Sequence, residues 1–378
     1  MIILFMKPNV VIYGITTESY SLACTMSKNA SVYIIDESNL MAIFITSEIV
    51  NSYPTISSLL EDEPLLSMIP LDTAISNSRY VFFAPLIRKI ESETTNEVRS
   101  KFKDVVGHMA EKSSMICCLP TGIGGNDENI SILEHVTGFE VGKSISYFYY
   151  PLSNVHKPQF IGSFNKRNDN ILSELLNIDQ KNFIHIQAAE HYHIVYIISK
   201  FSKVCSILEV CKLIKDEKIK YDSSYLEYSD IYLDDIIYES YDLHSIKLSL
   251  DTAPAFMYLI NGSIKSITNY VKRLIDVIKL ILKKNDLKSS KTKIALSWKL
   301  DYTEIRGDKL EILSNIVSKL RDYVVDVESY TKQNVNVYHT DKTLIVIACS
   351  KPDYDYIIKE KKDNHVIIIK ANPLCEVI

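Results

Sequence analysis

Residues 9–36 read NVVIYGITTESYSLACTMSKNASVYIID, and their pattern decides the fold. Asn9–Gly14 is an apolar run that ends at a glycine, as a buried strand entering a tight turn does. Residues 17–29 place Tyr20, Ala23, Cys24 and Ser27 on one side at helical spacing. Ser31–Asp36 is a second apolar run, closed by an acid. Strand, glycine turn, helix, strand and terminal acid make a βαβ unit. Two more continuous apolar runs follow, Tyr80–Ala84 (YVFFA) and Ser114–Leu119 (SMICCL), with a helical stretch over residues 94–112 between them. Such alternation predicts a doubly wound parallel sheet over roughly the first 160 residues.

Beyond it, residues 188–215 run without Gly or Pro and predict one long helix. Residues 221–251, rich in Tyr, Asp and Ser, give no firm element. Ser263 is expected to cap a second long helix, whose stripe is Ile264, Ile267, Val271, Leu274, Ile275 and Ile278. Residues 285–293 (NDLKSSKTK) read as a polar linker. Strands at Ile294–Trp298, Val324–Tyr330, Thr343–Ala348 and Val366–Ile369 then alternate with helices at Lys309–Tyr323 and Asp353–Lys361. They form a second, smaller α/β unit.

Composition narrows the function classes. The chain has 378 residues and a net charge of −5, so nothing draws it as a whole to nucleic acid or an anionic membrane. The six lysines of residues 279–293 have no aromatic platform among them and read as a solvated helix end. The seven cysteines include no CxxC pair, so neither a disulfide framework nor a zinc site is signalled, and buried reduced thiols are expected. The N-terminal MIILFMKPNVVIYG lacks the order of charge, apolar run and cleavage site of a secretory leader. No stretch of 18 apolar residues is present, and a cytoplasmic location is expected. Only 10 residues are glycine, few for a protein that cradles phosphates.

Several stretches, in this order, look like one known family. VVIYGITTESYSLA followed by VYIIDE resembles the cofactor-binding opening of the UDP-glucose/GDP-mannose dehydrogenases. CCLPTGIGGNDENISILEHVTGFEVGK and then YFYYPL resemble their strand–turn–helix and substrate loop. AAEHYHIVYIISKF resembles the start of their central helix, and IALSWKLDYTEIRGDKLEILSNIVSKL the opening of their nucleotide-sugar domain. The resemblance implies an α/β protein with a Rossmann-like doubly wound domain over residues 1–180. A central helical domain with a long spine helix follows over 181–288, then a smaller Rossmann-like domain over 289–378. It also implies a homodimer through the 188–215 helix.

The positions that carry that family's chemistry are largely replaced. A dinucleotide fingerprint needs three glycines, for the turn, the close approach of pyrophosphate and helix packing. Of these only Gly14 remains; Thr16 is branched, and Glu18 adds a carboxylate that repels phosphate. Asp36 stands 22 residues after Gly14, where a ribose-binding acid belongs, yet a plain strand-end acid is the preferred reading. Thr121, Gly122, Gly124 and Gly125 read either as a small anion-binding nest or, preferably, as a simple turn.

Where the resemblance implies an acid, a lysine and an asparagine, the chain has Leu152, His193 and Ile197, so no catalytic residue is assigned. No cysteine lies between Cys211 and Cys349, which removes the family's nucleophile; Asp251 is read as a remnant of the loop that held it. His185, His191 and His193 are wrongly spaced for a metal on one helical face. Lys299 and Arg306, with Glu304, match the family's basic and acidic positions near the nucleotide sugar, and are either phosphate ligands or paired surface charges. The reading is therefore a non-catalytic homologue, a dimeric scaffold or nucleotide-sugar sensor. No cofactor is expected, and NAD is the candidate if one is bound. The alternative is a divergent NAD-dependent oxidoreductase acting on a UDP- or GDP-sugar.

Overall fold

The structure is a computed structural model that describes residues 7–62, 64–88, 92–154, 157–166, 168–217, 230–250, 254–331, 342–360 and 366–378. It divides into two compact units. The first comprises residues 1–195 together with Leu248–Leu250 and Thr303–Gly307; the second comprises Tyr196–Lys247, Asp251–Tyr302 and Asp308–Ile378.

In the first unit the order is β1 (Asn9–Tyr13), α1 (Thr17–Met26), β2 (Ser31–Asp36), β3 (Met41–Ile45), α2 (Ser47–Ser52), α3 (Ile56–Asp62), β4 (Met68–Pro70) and α4 (Leu71–Ser76). There follow β5 (Tyr80–Phe83), α5 (Ser92–Val106), β6 (Ser114–Cys117), α6 (Gly125–Thr137), β7 (Ser146–Tyr149), β8 (Ile161–Ser163), α7 (Asn170–Leu176) and β9 (Phe183–His185). The helix α8 (Ile186–Asp216) begins in this unit and continues into the second. Nine strands make one sheet in the order β4-β3-β2-β1-β5-β6-β7-β8-β9. β2, β1, β5, β6 and β7 are mutually parallel, and β1, β5 and β6 are buried along almost their whole length, as strands covered on both faces must be. Strands are added outward in opposite directions from β1 and β5, so the switch point lies between them.

β3, β4 and β8 run antiparallel to their inner neighbours, a departure from the all-parallel expectation at both sides of the sheet. The turn into β3 closes at Leu40, whose φ of 58° is left-handed. β3 is the short apolar run MAIFI, which the sequence pattern alone had not marked.

In the second unit α8 is followed by α9 (Leu233–Ile237), α10 (Ser240–Ser249), α11 (Pro254–Lys284) and β10 (Thr292–Ser297). Then come α12 (Asp308–Arg321), β11 (Asp326–Tyr330), β12 (Thr343–Ala348), α13 (Lys351–Glu360) and β13 (Val366–Lys370). The four strands form a parallel sheet in the order β11-β10-β12-β13. α11 buries Ile267, Val271, Leu274, Ile275 and Ile278 and half-buries Ile264, which is the stripe the sequence indicates. Ser263 is not its cap. The helix is already helical at Pro254, where a missing N–H costs nothing, and Ser263 sits inside it. Its hydroxyl lies within hydrogen-bonding distance of the Leu259 carbonyl (2.9 Å) and of the Phe201 carbonyl on α8 (3.2 Å). Trp298, fully buried, donates Nε1–H to Asp234 Oδ1 at 2.7 Å and ties the end of β10 to α9. Among the described residues no helix is long and apolar enough to cross a membrane.

Candidate functional site

The first unit places its candidate site where an open α/β sheet binds ligands, beyond the carboxyl ends of β1 and β5. Gly14 leaves β1 with φ +110°, and a Cβ there would lie 2.2 Å from the Ala84 carbonyl oxygen, so only glycine fits. Thr16 is the extended N-cap of α1 and is fully buried. Its Oγ1 accepts the Ser19 N–H at 2.9 Å and donates to Ser19 Oγ at 2.7 Å. The next amide, Thr17 N–H, donates to the Thr303 carbonyl at 2.9 Å, and the hydroxyls of Thr17 and Thr303 pair at 2.7 Å. Glu18, 5% exposed, accepts the Ile305 N–H on Oε2 at 2.9 Å.

Residues 303–307 thus form a strap across this helix end. Ile87 N–H donates to the Ile305 carbonyl (2.8 Å) and Arg88 Nη1 to the Glu304 carbonyl (2.9 Å). Arg306 is buried and donates Nη1–H to the Leu152 carbonyl (2.8 Å). A Cβ on Gly307 would meet the Ile87 carbonyl and Arg88 Cα at 2.9 Å, so the strap lies flat on the β5 exit. A helix N-terminus is a ready anion site because its amides are unspent and its dipole is positive there. Here amides of the first turn are spent on Thr16 and Thr303, and the carboxylate of Glu18 stands in that turn.

The second glycine cluster has a comparable occupant. Gly122 and Gly124 have φ of 70° and 73° at the entrance to α6. The carboxylate of Glu190, 3% exposed, accepts Gly124 N–H on Oε2 (3.2 Å) and, on Oε1, Asn126 N–H (3.1 Å) and Asn126 Nδ2–H (2.8 Å). Asn126 Nδ2 also donates to Thr121 Oγ1 at 2.8 Å, and Asn126 Oδ1 accepts from Tyr147 OH at 2.7 Å. The turn is therefore an anion nest by geometry, and its anion is a side chain of this chain.

The remaining expected residues fall as follows. Asp36 folds back on the chain, accepting from Ser38 N–H (2.8 Å) and Ser38 Oγ–H (2.6 Å). Its neighbour Glu37 accepts the Leu86 N–H (2.7 Å) and pairs with Lys101 (2.8 Å). Leu152 is buried, Ile197 is fully buried and His193 is half-buried. Lys299 belongs to the second unit and is exposed; its backbone N–H donates to Asp353 Oδ2 at 3.1 Å. Asp251 lies outside the described residues. Cys117, Cys118, Cys211, Cys349 and Cys375 are buried free thiols. Burial pushes the Cys117 thiol up to about 11 and Cys118 well above its usual range, which opposes thiolate formation at neutral pH. Among the described residues no three His, Cys, Asp or Glu side chains gather as metal ligands.

Glu190, Asn126, Glu37 and Thr303 were not marked as site residues by the sequence pattern. Their roles depend on partners far away in the chain, and no local motif announces them.

No protein-family model and no curated protein matches the sequence. Solved structures do match. The UDP-D-ManNAc dehydrogenase from Pyrococcus horikoshii aligns with a TM-score of 0.65 at 14% identity, over 97% of this chain and 96% of that one. The UDP-glucose dehydrogenase from Pyrobaculum islandicum aligns with a TM-score of 0.64 at 10% identity, over 98% and 96%. The UDP-N-acetyl-mannosamine dehydrogenase Cap5O from S. aureus aligns with a TM-score of 0.54 at 12% identity, over 90% and 88%. At such identities the likeness speaks for architecture, and this chain has the fold of the nucleotide-sugar dehydrogenases.

Proposed function

We propose that this chain is a non-catalytic homologue of the nucleotide-sugar dehydrogenases, a dimeric cytoplasmic protein that binds a partner or senses a nucleotide sugar. The observation that carries this reading is the filled crevice. Glu18 and Thr303 stand where a dinucleotide's phosphates would approach α1. Pyrophosphate binding there would have to break the Thr17–Thr303 hydrogen bonds and bring phosphate beside the Glu18 carboxylate. A hydrophobic residue at position 152 and another at 197 add no group that moves a proton or steadies an oxyanion.

The dimer is proposed through α8. Tyr192, Val195, Val210 and Leu213 are apolar and exposed along this one helix, more than an isolated solvated face needs. A nucleotide or nucleotide sugar is the proposed small ligand, with Lys299 in the second unit and Arg306 in the first each taken separately as a candidate phosphate contact.

The test is thermal unfolding of the purified chain with and without NAD(H), UDP, UDP-glucose and GDP-mannose, followed by turnover assays. A ligand at 100 times its dissociation constant adds about 2.7 kcal/mol to the native state. The expected result is no shift with NAD(H) and no turnover. A shift with UDP or a sugar nucleotide alone supports the sensor form of the proposal. A shift with NAD accompanied by turnover overturns it in favour of a divergent NAD-dependent oxidoreductase.

A further inference from the structure

In the first unit, the outer strand β4 leaves one backbone edge open. It pairs antiparallel with β3, Met41 opposite Pro70, Ala42 opposite Ile69 and Ile43 opposite Met68, and no described strand lies beyond it. Phe44 N–H donates to the Ser67 carbonyl (2.9 Å) and Leu71 N–H to the Leu40 carbonyl (3.1 Å). Alternate residues of an antiparallel strand bond to the same neighbour, so Ser67, Ile69 and Leu71 turn their backbone to β3. Met68, between them, presents its N–H and C=O outward, and Pro70 presents a C=O alone. Large apolar side chains accompany this edge: Leu40, Leu65 and Met68 are all exposed. Leu65 stands just before the ladder, and Leu40 bonds at its far end.

An open edge with apolar side chains is a template for another strand, and proteins usually blunt it with lysine, proline or a covering element. Pro70 blunts one position. Lysine blunts none: between Lys28 and Arg79 the chain has no lysine, arginine or histidine, and every charged residue there is Asp or Glu. Four of these acids are exposed and flank the edge in sequence. Glu61 and Asp62 end α3 just before it, Asp72 lies in the first turn of α4 just after it, and Glu48 follows β3 in α2. Their charge selects the occupant. A second copy pairing edge to edge would set the like-charged acids of the two copies side by side, which repulsion opposes. Nucleic acid and anionic lipid are repelled for the same reason.

We propose that β4 is a docking edge for an extended segment of another protein, one that carries apolar side chains interspersed with Lys or Arg. The segment adds to the sheet beyond β4. Its backbone bonds to Met68 N–H and C=O and to Pro70 C=O, and its apolar side chains cover Met68 and Leu65. Its basic side chains meet Glu48, Glu61, Asp62 and Asp72. This names the kind of partner in the partner-binding form of the proposed function and rests on that form.

The test is fluorescence anisotropy of the full chain with a short synthetic peptide in which lysine alternates with valine and leucine. Saturable binding that weakens as salt rises is expected, and none with the same peptide carrying glutamate for lysine. Met68→Pro removes the outward N–H and spares the bonds of Ser67 and Leu71, as an edge position allows. It should weaken peptide binding about tenfold, for one lost backbone bond and the steric bulk of the ring. Asp62→Lys with Asp72→Lys should weaken binding and flatten its salt dependence. If Met68→Pro does not fold, hydrogen exchange of the wild type decides: the Met68 amide should exchange fast alone and slowly with the lysine peptide. Equal binding of the lysine and glutamate peptides would overturn the proposal, as would no binding at low salt. So would unchanged affinity in Met68→Pro, or a Met68 amide that gains no protection. Self-association lost in Met68→Pro would assign the edge to a second copy and also overturn it. A failed peptide test leaves the response to NAD(H) and the turnover result untouched, so the two readings fail separately.

Discussion

The carboxylate of Glu18 and the backbone N–H of Ile305 meet at 2.9 Å across 287 positions of sequence. The acid stands in the first turn of α1, and the amide belongs to the strap of residues 303–307. One bond thus ties the strap to the helix end and holds the carboxylate in the first turn.

Replacing Glu18 with alanine should leave the Ile305 amide buried without this acceptor. The expected loss is about 1–3 kcal/mol, the cost of an unsatisfied buried donor. Urea unfolding of the wild type and of Glu18→Ala measures it. Under the proposed function the variant does not gain NAD binding, because Thr16 and Thr303 still cover the turn.

Glu190 offers the complementary case. Glu190→Ala frees the amides of Gly124 and Asn126 and the Asn126 side chain together, and should cost about 2–4 kcal/mol for donors bonded to a charged group. The emptied nest should then accept an external anion. Inorganic phosphate is expected to raise the unfolding midpoint of Glu190→Ala more than that of the wild type. Equal phosphate effects on both proteins would show that the nest cannot be reoccupied.

Stability should fall on the alkaline side of about pH 9. Burial raises the Cys117 thiol from 9.0 to about 11, and Tyr13 and Tyr20 from 10.0 to about 12. Between the ordinary and the raised values the unfolded chain has already lost protons that the native chain keeps. The native state then binds more protons, so the free energy of unfolding declines as pH rises. The stabilisation is complete below about pH 9 and is lost progressively towards pH 12. A shift of two units on the fully buried thiol is worth about 2–3 kcal/mol. Denaturant midpoints measured at pH 8, 9, 10 and 11 check the direction.

The α8 face makes a separate demand. Val210 and Leu213 are exposed in the isolated chain, so Val210→Asp with Leu213→Asp should change monomer stability by only about 0.5 kcal/mol per site. In the proposed homodimer the same pair would bury uncompensated carboxylates and prevent association. Sedimentation velocity should show a dimer for the wild type and a monomer for the variant. Two monomers would remove α8 as an interface.

Much of the fold is legible because its inner strands are continuous apolar runs. NVVIY, YVFF and SMIC each announce a parallel strand buried on both faces, and SVYIID a partly buried one beside them; all four are present. The start of α11 was misread, because Ser263 looks like an N-cap while the helix begins at Pro254. A Cβ on Gly262 would meet nothing within 4 Å, and packing of the following turns against α8 carries the helix through. The added strands β3 and β4 were missed because a five-residue and a three-residue run carry too little period to separate strand from loop. At the site, the loss of fingerprint glycines was plain from Thr16 and Glu18. What pairs with the polar groups around these turns was not. Thr303, Ile305 and Glu190 reach their partners over separations of 64 to 287 residues, and such pairing leaves no local trace.

The strap also imposes an order in time. Thr303–Gly307 completes the first unit, yet the ribosome makes it after Tyr196–Lys247 and Asp251–Tyr302 of the second. Roughly 110 residues of synthesis separate Val195 from Gly307, on the order of ten seconds at ordinary elongation rates. During that interval a nascent first unit has Glu18, Ile87 and the end of α1 without their partners. Maturation of this half of the molecule is therefore held back until most of the chain has emerged. A gene cut anywhere before codon 303 would release a sheet whose β1 and β5 ends lack the strap.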